Sequence, residues 1–226
     1  MKKVVLSIII IFYSFNSFGH VGHYSNFNYL EYELFRNNQK IGFHKYKFLR
    51  NNENLTVNSE VSFKIRKFGI DLYNYYAISE EKYKDNIFTS FKSKTNQNKK
   101  DKYVNIKIDQ MDKDLIIDGS SFKGKVSKEF IIGTWWNHEI VKKKAQISAV
   151  SGRIIEQKVT FIGKEEININ GKIYKTLKFN FSSSDPSLSK DKKLNTDIWY
   201  EENTNLWIKA AFDKTGYWEY RLKTSN

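Results

Sequence analysis

The chain has no cysteine and one proline, Pro186. The missing cysteines exclude disulfides, thiol catalysis, cysteine-ligated zinc and a lipidated cysteine. A fold without such staples must be held by its core, and 226 residues suffice for one domain of ordinary size. Catalytic signatures are missing too. There is no Gly-x-Ser-x-Gly elbow, no phosphate-binding loop and no paired metal carboxylates. With no nucleophile–base constellation, a non-enzymatic protein without a cofactor is expected. Beyond the first residues, no stretch is long and apolar enough to cross a bilayer as a helix.

Acidic residues are the minority. Lys and Arg number 38 against 25 Asp and Glu, for a formal charge of +13. Such a field favours anionic partners, lipid headgroups among them. Abundant Lys, Asn, Ile, Phe and Tyr beside scarce Pro are also the composition of AT-rich coding sequence, so charge alone defines no site.

The first residues read as an export signal. Lys2 and Lys3 precede an apolar run from Val4 to Phe15, too short to span a bilayer comfortably. Ser17 and Gly19 offer small residues at signal-peptidase spacing. Cleavage after Gly19 is expected, leaving 20–226 as one periplasmic domain with no membrane-spanning segment. Nucleic acid is not an expected partner there.

The body of the chain is rich in aromatics, with 17 Phe, 14 Tyr and 5 Trp. Those residues favour pleated, half-buried surfaces. Apolar and polar residues alternate at Val61-Phe63-Ile65, Val104-Ile106-Ile108 and Leu177-Phe179-Phe181, each burying one face of a strand. Turn-forming pairs separate such runs at hairpin spacing: Asn37-Asn38, Asn51-Asn52, Asp85-Asn86, Asn98 onward, Asp118-Gly119, Asn170-Gly171 and Thr215-Gly216. The pattern predicts an all-β, mainly antiparallel fold of about a dozen strands. It reads as a long meander curled into an open barrel or half-barrel.

Two segments depart from alternation. Residues 128–144 carry Ile131, Ile132, Trp135, Trp136 and Ile140 and read as a short helix or packed, irregular segment. Residues 182–193 are polar and read as an exposed loop. Near the C-terminus, three-residue loops at 203–205 and 214–216 set a register. It places Ile198, Tyr200, Leu206, Ile208, Phe212, Trp218, Tyr220 and Leu222 on a core face, and Trp199 and Trp207 with charged residues on the other.

Candidate ligand contacts follow from these segments. Trp135 and Trp136 cannot both turn the same way, so one packs on the sheet and the other can cap a cavity or stack on a ligand. Asn137 is either a hydrogen-bonded pin or a ligand contact. Trp199 and Trp207 form part of a second candidate surface. An acyl chain or similar amphiphile beneath 128–144 could direct an anionic head to Lys142, Lys143 or Lys144, with Trp135 and Trp136 at the cavity edge. His138 adjoins Glu139, but neighbours on a helix are not expected to meet. His20, as a new N-terminus, could chelate copper with His23, His44 or His138. An envelope protein is the other partner class considered.

The segments Thr134-Trp135-Trp136-Asn137, Gln146-Ile147-Ser148, Ser151-Gly152-Arg153 and Asp197-Ile198-Trp199-Tyr200 resemble a bacterial family of exported proteins, number 6134 among the domains of unknown function. The opening Tyr32-Glu33-Leu34-Phe35 and Lys40-Ile41-Gly42-Phe43-His44 resemble its first hairpin. The resemblance spans about residues 27–223 and implies no catalytic residues. A more distant similarity to family 3108 implies an open half-barrel like that of envelope lipoprotein carriers.

Overall fold

Pairs of residues with positive φ make the hairpins. In the computed structural model, which describes residues 24–189 and 192–226, both central residues are left-handed at Asn37-Asn38, Phe68-Gly69, Asp85-Asn86, Asn98-Lys99 and Asn170-Gly171. Two left-handed residues in a two-residue loop give a turn whose twist matches the flanking strands. Asn, Asp and Gly tolerate that geometry; Phe68, at φ 50°, does not share their tolerance.

The turns link β1 (Tyr29–Arg36), β2 (Gln39–Asn51), β3 (Asn54–Lys67), β4 (Ile70–Lys84), β5 (Ile87–Gln97) and β6 (Lys100–Ile108). The meander continues through β7 (Leu115–Gly119) and β8 (Lys123–Val126). After the short β9 (Ile131–Ile132), a 3₁₀ turn (His138–Lys142) and β10 (Ala145–Ile147), it resumes. The second run is β11 (Ile154–Ile169), β12 (Lys172–Ser183), β13 (Asn195–Glu201), β14 (Trp207–Asp213) and β15 (Tyr217–Ser225).

All fifteen strands form one sheet, ordered β8-β7-β6-β5-β4-β3-β2-β1-β15-β14-β13-β12-β11-β10-β9. Every pairing is antiparallel except β9 with β10. The predicted all-β meander is therefore present, with fifteen strands among the described residues instead of about a dozen. Its first and last strands pair in the middle, and its two edges, β8 and β9, are neighbours in sequence. The sheet curls without closing. Segment 127–153, a strap, bridges the gap. Towards one flank, Ser121 N donates to Ser151 O at 2.8 Å and Ser93 Oγ to Ala149 O at 2.6 Å. Towards the other, β10 pairs with β11, and Gln157 Nε2 donates to Ile140 O at 3.1 Å and Lys143 O at 3.0 Å.

Gly42 shows why the β1–β2–β3 corner needs glycine. A Cβ built there would stand 2.5 Å from the Phe63 Cβ and closer still to the Ser62 carbonyl oxygen. The β1–β2 register also shifts at Leu34/Phe35, opposite this residue. The missing Cβ thus lets β2 and β3 approach closely beside this register shift.

Candidate functional site

Two aromatic clusters fill the inner face at different levels. At one level the strap inserts a plug. Trp136 and Ile140 are fully buried, and the Trp136 ring meets Tyr24, Phe48 and Tyr83 edge-on at 5.4, 5.3 and 6.0 Å. Such tilted contacts suit the ring quadrupoles. At the other level, Leu34, Phe63 and Trp218 pack with Ile65, Tyr73, Tyr75 and Phe212. Phe63 stacks on Tyr75 at 4.7 Å, and Phe212 on Trp218 at 5.9 Å.

The plug is tied down by a buried carboxylate. Glu81 accepts from Trp136 Nε1 at 3.2 Å, from Thr134 Oγ1 at 3.4 Å and from the Tyr83 hydroxyl. Burial lifts its carboxyl from the usual 4.5 to about 7, although the three donors pull the other way. Burial without a counter-charge favours the protonated form.

The rest of the inner face, continuous with the core around Trp136, is lined unequally. One wall is aromatic: Tyr32, His44, Tyr46, Trp207 and Tyr220, with Trp135 from the strap. Trp135 meets Trp207 and Tyr220 at 5.3 Å each, and Tyr32 stacks on Trp207 at 3.9 Å. Beside it the next two strands carry small side chains, with Tyr46 paired to Ser59 and His44 to Val61 across β2–β3. Ser59 and Ser79 pair across β3–β4, as do Val61 and Ala77. All four remain half-buried though they point inward, as do His44, Trp135 and Tyr220. Tyr32, Tyr46 and Trp207 are buried in the packed core, so the half-buried residues mark the side on which solvent reaches it, the chamber.

Beside the chamber lie two buried polar atoms that no group among the described residues satisfies. His44 Nε2 lies 2.8 Å from Ser59 Oγ, but its Nδ1 is buried with no partner among the described residues. The same holds for Trp207 Nε1. The two rings lie 6.2 Å apart. Burial pushes the His44 imidazole down to about 3, so it is neutral at ordinary pH. Buried donors and acceptors without partners are rare in folded proteins.

The residues singled out from sequence are distributed as follows. Of the adjacent tryptophans, Trp136 packs and Trp135 faces the chamber; the expectation that Trp136 stands at a cavity edge is corrected, since its indole is committed to Glu81. Asn137 is a pin: its Oδ1 accepts from Glu139 N at 3.2 Å, capping the 3₁₀ turn, and its Nδ2 donates to Tyr83 Oη at 3.4 Å. Trp199 points away from the chamber. Its indole donates to Glu165, and Lys178 and Lys209 lie over its ring at 4.7 and 5.0 Å. Trp207 is on the inner face with Tyr200 and Tyr220, not beside Trp199 as expected. The register shifts between Trp199 and Tyr200, so the extra residue in β14 turns Trp207 inward. Phe212, Trp218 and Tyr200 hold their expected faces.

Lys142 pairs with Glu139 at 2.9 Å and Lys143 with Glu129 at 3.5 Å, while Lys144 is exposed. His138 and Glu139 do meet, at 3.3 Å, because the segment is a tight turn and not a regular helix. Burial lowers the His138 imidazole, outweighing the pull of Glu139. No group of three or more His, Asp or Glu among the described residues is placed to hold a metal. His20 and His23 lie outside the described residues. Sequence reasoning missed Glu81, Tyr24 and His44 as interior groups. Tyr24 is fully buried, and its hydroxyl accepts from Trp207 N at 3.0 Å.

The curled, open and mostly antiparallel sheet defines a β-barrel-like protein. By sequence, the chain belongs to the family described as domain of unknown function DUF6134, which matches residues 32–223. That match supports the resemblance to family 6134 and does not extend to family 3108 or to lipoprotein carriers. Among solved structures, the chain is similar to the β-barrel-like protein of domain of unknown function DUF1849 from Brucella abortus. Identity is 12%, coverage 88% of this chain and 96% of that one, and the TM-score 0.60. At such identity the likeness shows the fold alone. No curated protein matches the chain by sequence.

Proposed function

We propose that the domain is a non-enzymatic binding or carrier module, exported to the periplasm, that takes an apolar or amphipathic small molecule into the chamber. The observation that supports this reading is the unequal lining: half-buried Trp135, His44 and Tyr220 stand on the same inner face as small side chains of β3 and β4, and His44 Nδ1 and Trp207 Nε1 have no partner among the described residues. Sites for small ligands combine such apolar walls with few polar groups. The apolar body of the ligand lies against Trp135 and Tyr220, and one hydrogen-bonding group meets His44 and Trp207. This assignment differs from a head at Lys142–Lys144, where Glu139 and Glu129 already engage two of the three ammonium groups.

The test is native mass spectrometry of the protein purified from its own cells, followed by titration of stripped protein with fatty acids, monoacylglycerols and lysophospholipids. Trp135 and Trp207 should report binding as a blue shift of tryptophan emission. Ser79→Trp should fill the chamber and abolish the shift while leaving the fold intact. Absence of any co-purifying ligand, together with no spectral change for any amphiphile, would favour the other class considered, an envelope protein–protein interaction module.

A further inference from the structure

The hairpin formed by β3 and β4 outgrows the sheet around it. Pairing of β2 with β3 runs as far as Gly42 with Phe63, and pairing of β4 with β5 as far as Tyr75 with Gln97. Residues 64–73 pair in the sheet only with one another, as a two-stranded ribbon whose base, at Ile65 and Tyr73, packs beside Phe63 and whose tip extends past the sheet. Its tip is apolar. Phe68 is 90% exposed, Ile70 65% and Leu72 53%. Phe68 also occupies a left-handed turn position, at φ 50°, that a bulky side chain enters at a conformational cost. No packing in the fold offsets that cost.

Cations surround this tip. Lys67 lies over the Phe68 ring at 5.4 Å, while Lys64 and Arg66 share Asp71 at 3.7 and 2.6 Å. At the base of the ribbon, a cleft of about 420 Å³ has an apolar floor of Phe63 and Ile65 and a rim that includes Arg36, Lys40, Lys64 and Arg66. A second copy of a chain carrying +13 would bring like charges together at such a surface.

We propose that the β3–β4 tip docks the domain on an anionic lipid bilayer, with Phe68, Ile70 and Leu72 entering the interface and the surrounding Lys and Arg contacting headgroups. Apolar side chains flanked by cations bind such interfaces by combining burial with charge attraction. The docking does not require the chamber to be occupied, so it stands or falls separately from ligand binding.

The experiment is co-sedimentation of the purified protein with phosphatidylglycerol–phosphatidylcholine vesicles and with phosphatidylcholine vesicles. The native protein is compared with a Phe68→Ser/Ile70→Ser variant and with Lys67→Glu. All three positions are exposed, and an unchanged melting temperature verifies the fold. Binding to the anionic vesicles should weaken with salt. The double variant should lose affinity by about ten-fold or more, as expected when an aromatic and an aliphatic side chain no longer leave water. Lys67→Glu should also weaken it. Failure of the native protein to bind anionic vesicles, or equal binding by the double variant, overturns the proposal. So does a native dimer in sedimentation velocity that the double variant abolishes without any vesicle binding; it would assign the tip to contact between copies.

Discussion

Replacing Glu81 by Gln should stabilise the protein at neutral and alkaline pH and leave it unchanged in acid. The folded carboxyl holds its proton to about pH 7, whereas the unfolded chain releases it near 4.5. The folded state therefore binds more protons between those values. The stability this contributes is fully present below pH 4.5 and is lost as pH rises through about 7. At about 1.4 kcal/mol per tenfold change, the loss comes to about 3 kcal/mol. Gln can still accept from Trp136 Nε1 and Thr134 Oγ1 and can donate to the Tyr83 hydroxyl, so the plug keeps its tether. The assay is urea unfolding of both proteins across the pH range, read as the difference between them. The difference is needed because His44 opposes Glu81 in the native protein. Depressed to about 3 by burial, His44 contributes stability above pH 6.5 that is lost as pH falls towards 3. The difference should be near zero below pH 4.5 and reach about 3 kcal/mol in favour of Glu81→Gln at about pH 8. A difference that stays flat from acid to alkali, or a less stable variant at the alkaline end, would refute the account of Glu81 as a desolvated, unpaired carboxylate.

Other perturbations follow from the same geometry. His44→Gln should remove the acid-side loss, so that its thermal stability falls less than that of the native protein between pH 6.5 and 3. Trp136→Ala should cost about 3–5 kcal/mol in denaturant unfolding, as the loss of a buried indole from the plug. Gly42→Ala should disrupt the β1–β3 corner and lower the soluble yield or the melting temperature sharply, whereas an exposed substitution such as Lys144→Ala should not.

Much of the architecture was legible because turn chemistry and alternation agree locally. Asn37-Asn38, Asp85-Asn86 and Asn170-Gly171 adopt the left-handed pairs that their side chains allow, and the strands between them alternate. Legibility ended where tertiary context overrode local pattern. Phe68-Gly69 turns like the others, but Phe is no turn signal. Leu206-Trp207-Ile208 is apolar throughout, so alternation could not locate the bulge that sends Trp207 inward. Glu81 sits in Ser79-Glu80-Glu81-Lys82, a run that reads as a solvated face. Only packing against Trp136 makes its second carboxylate an interior one. The divergence of Trp135 and Trp136 was deducible from adjacency; which ring went inward depended on contacts from Tyr24, Phe48 and Tyr83, distant in the chain.

The pairing of β1 with β15 sets an order of events during synthesis. Most hairpins of the meander can zip as soon as both arms have emerged, because their partners are a few residues away. The strand at Tyr29–Arg36 pairs early on one side with β2, yet its other edge waits for residues 217–225, far later in the chain. Two half-sheets can therefore take shape separately, each with an open hydrogen-bonding edge, before a single late seam joins them. Until then the β1 edge is a template for strand exchange between copies, and this sheet is most vulnerable to misassembly just before the nine-residue β15 arrives.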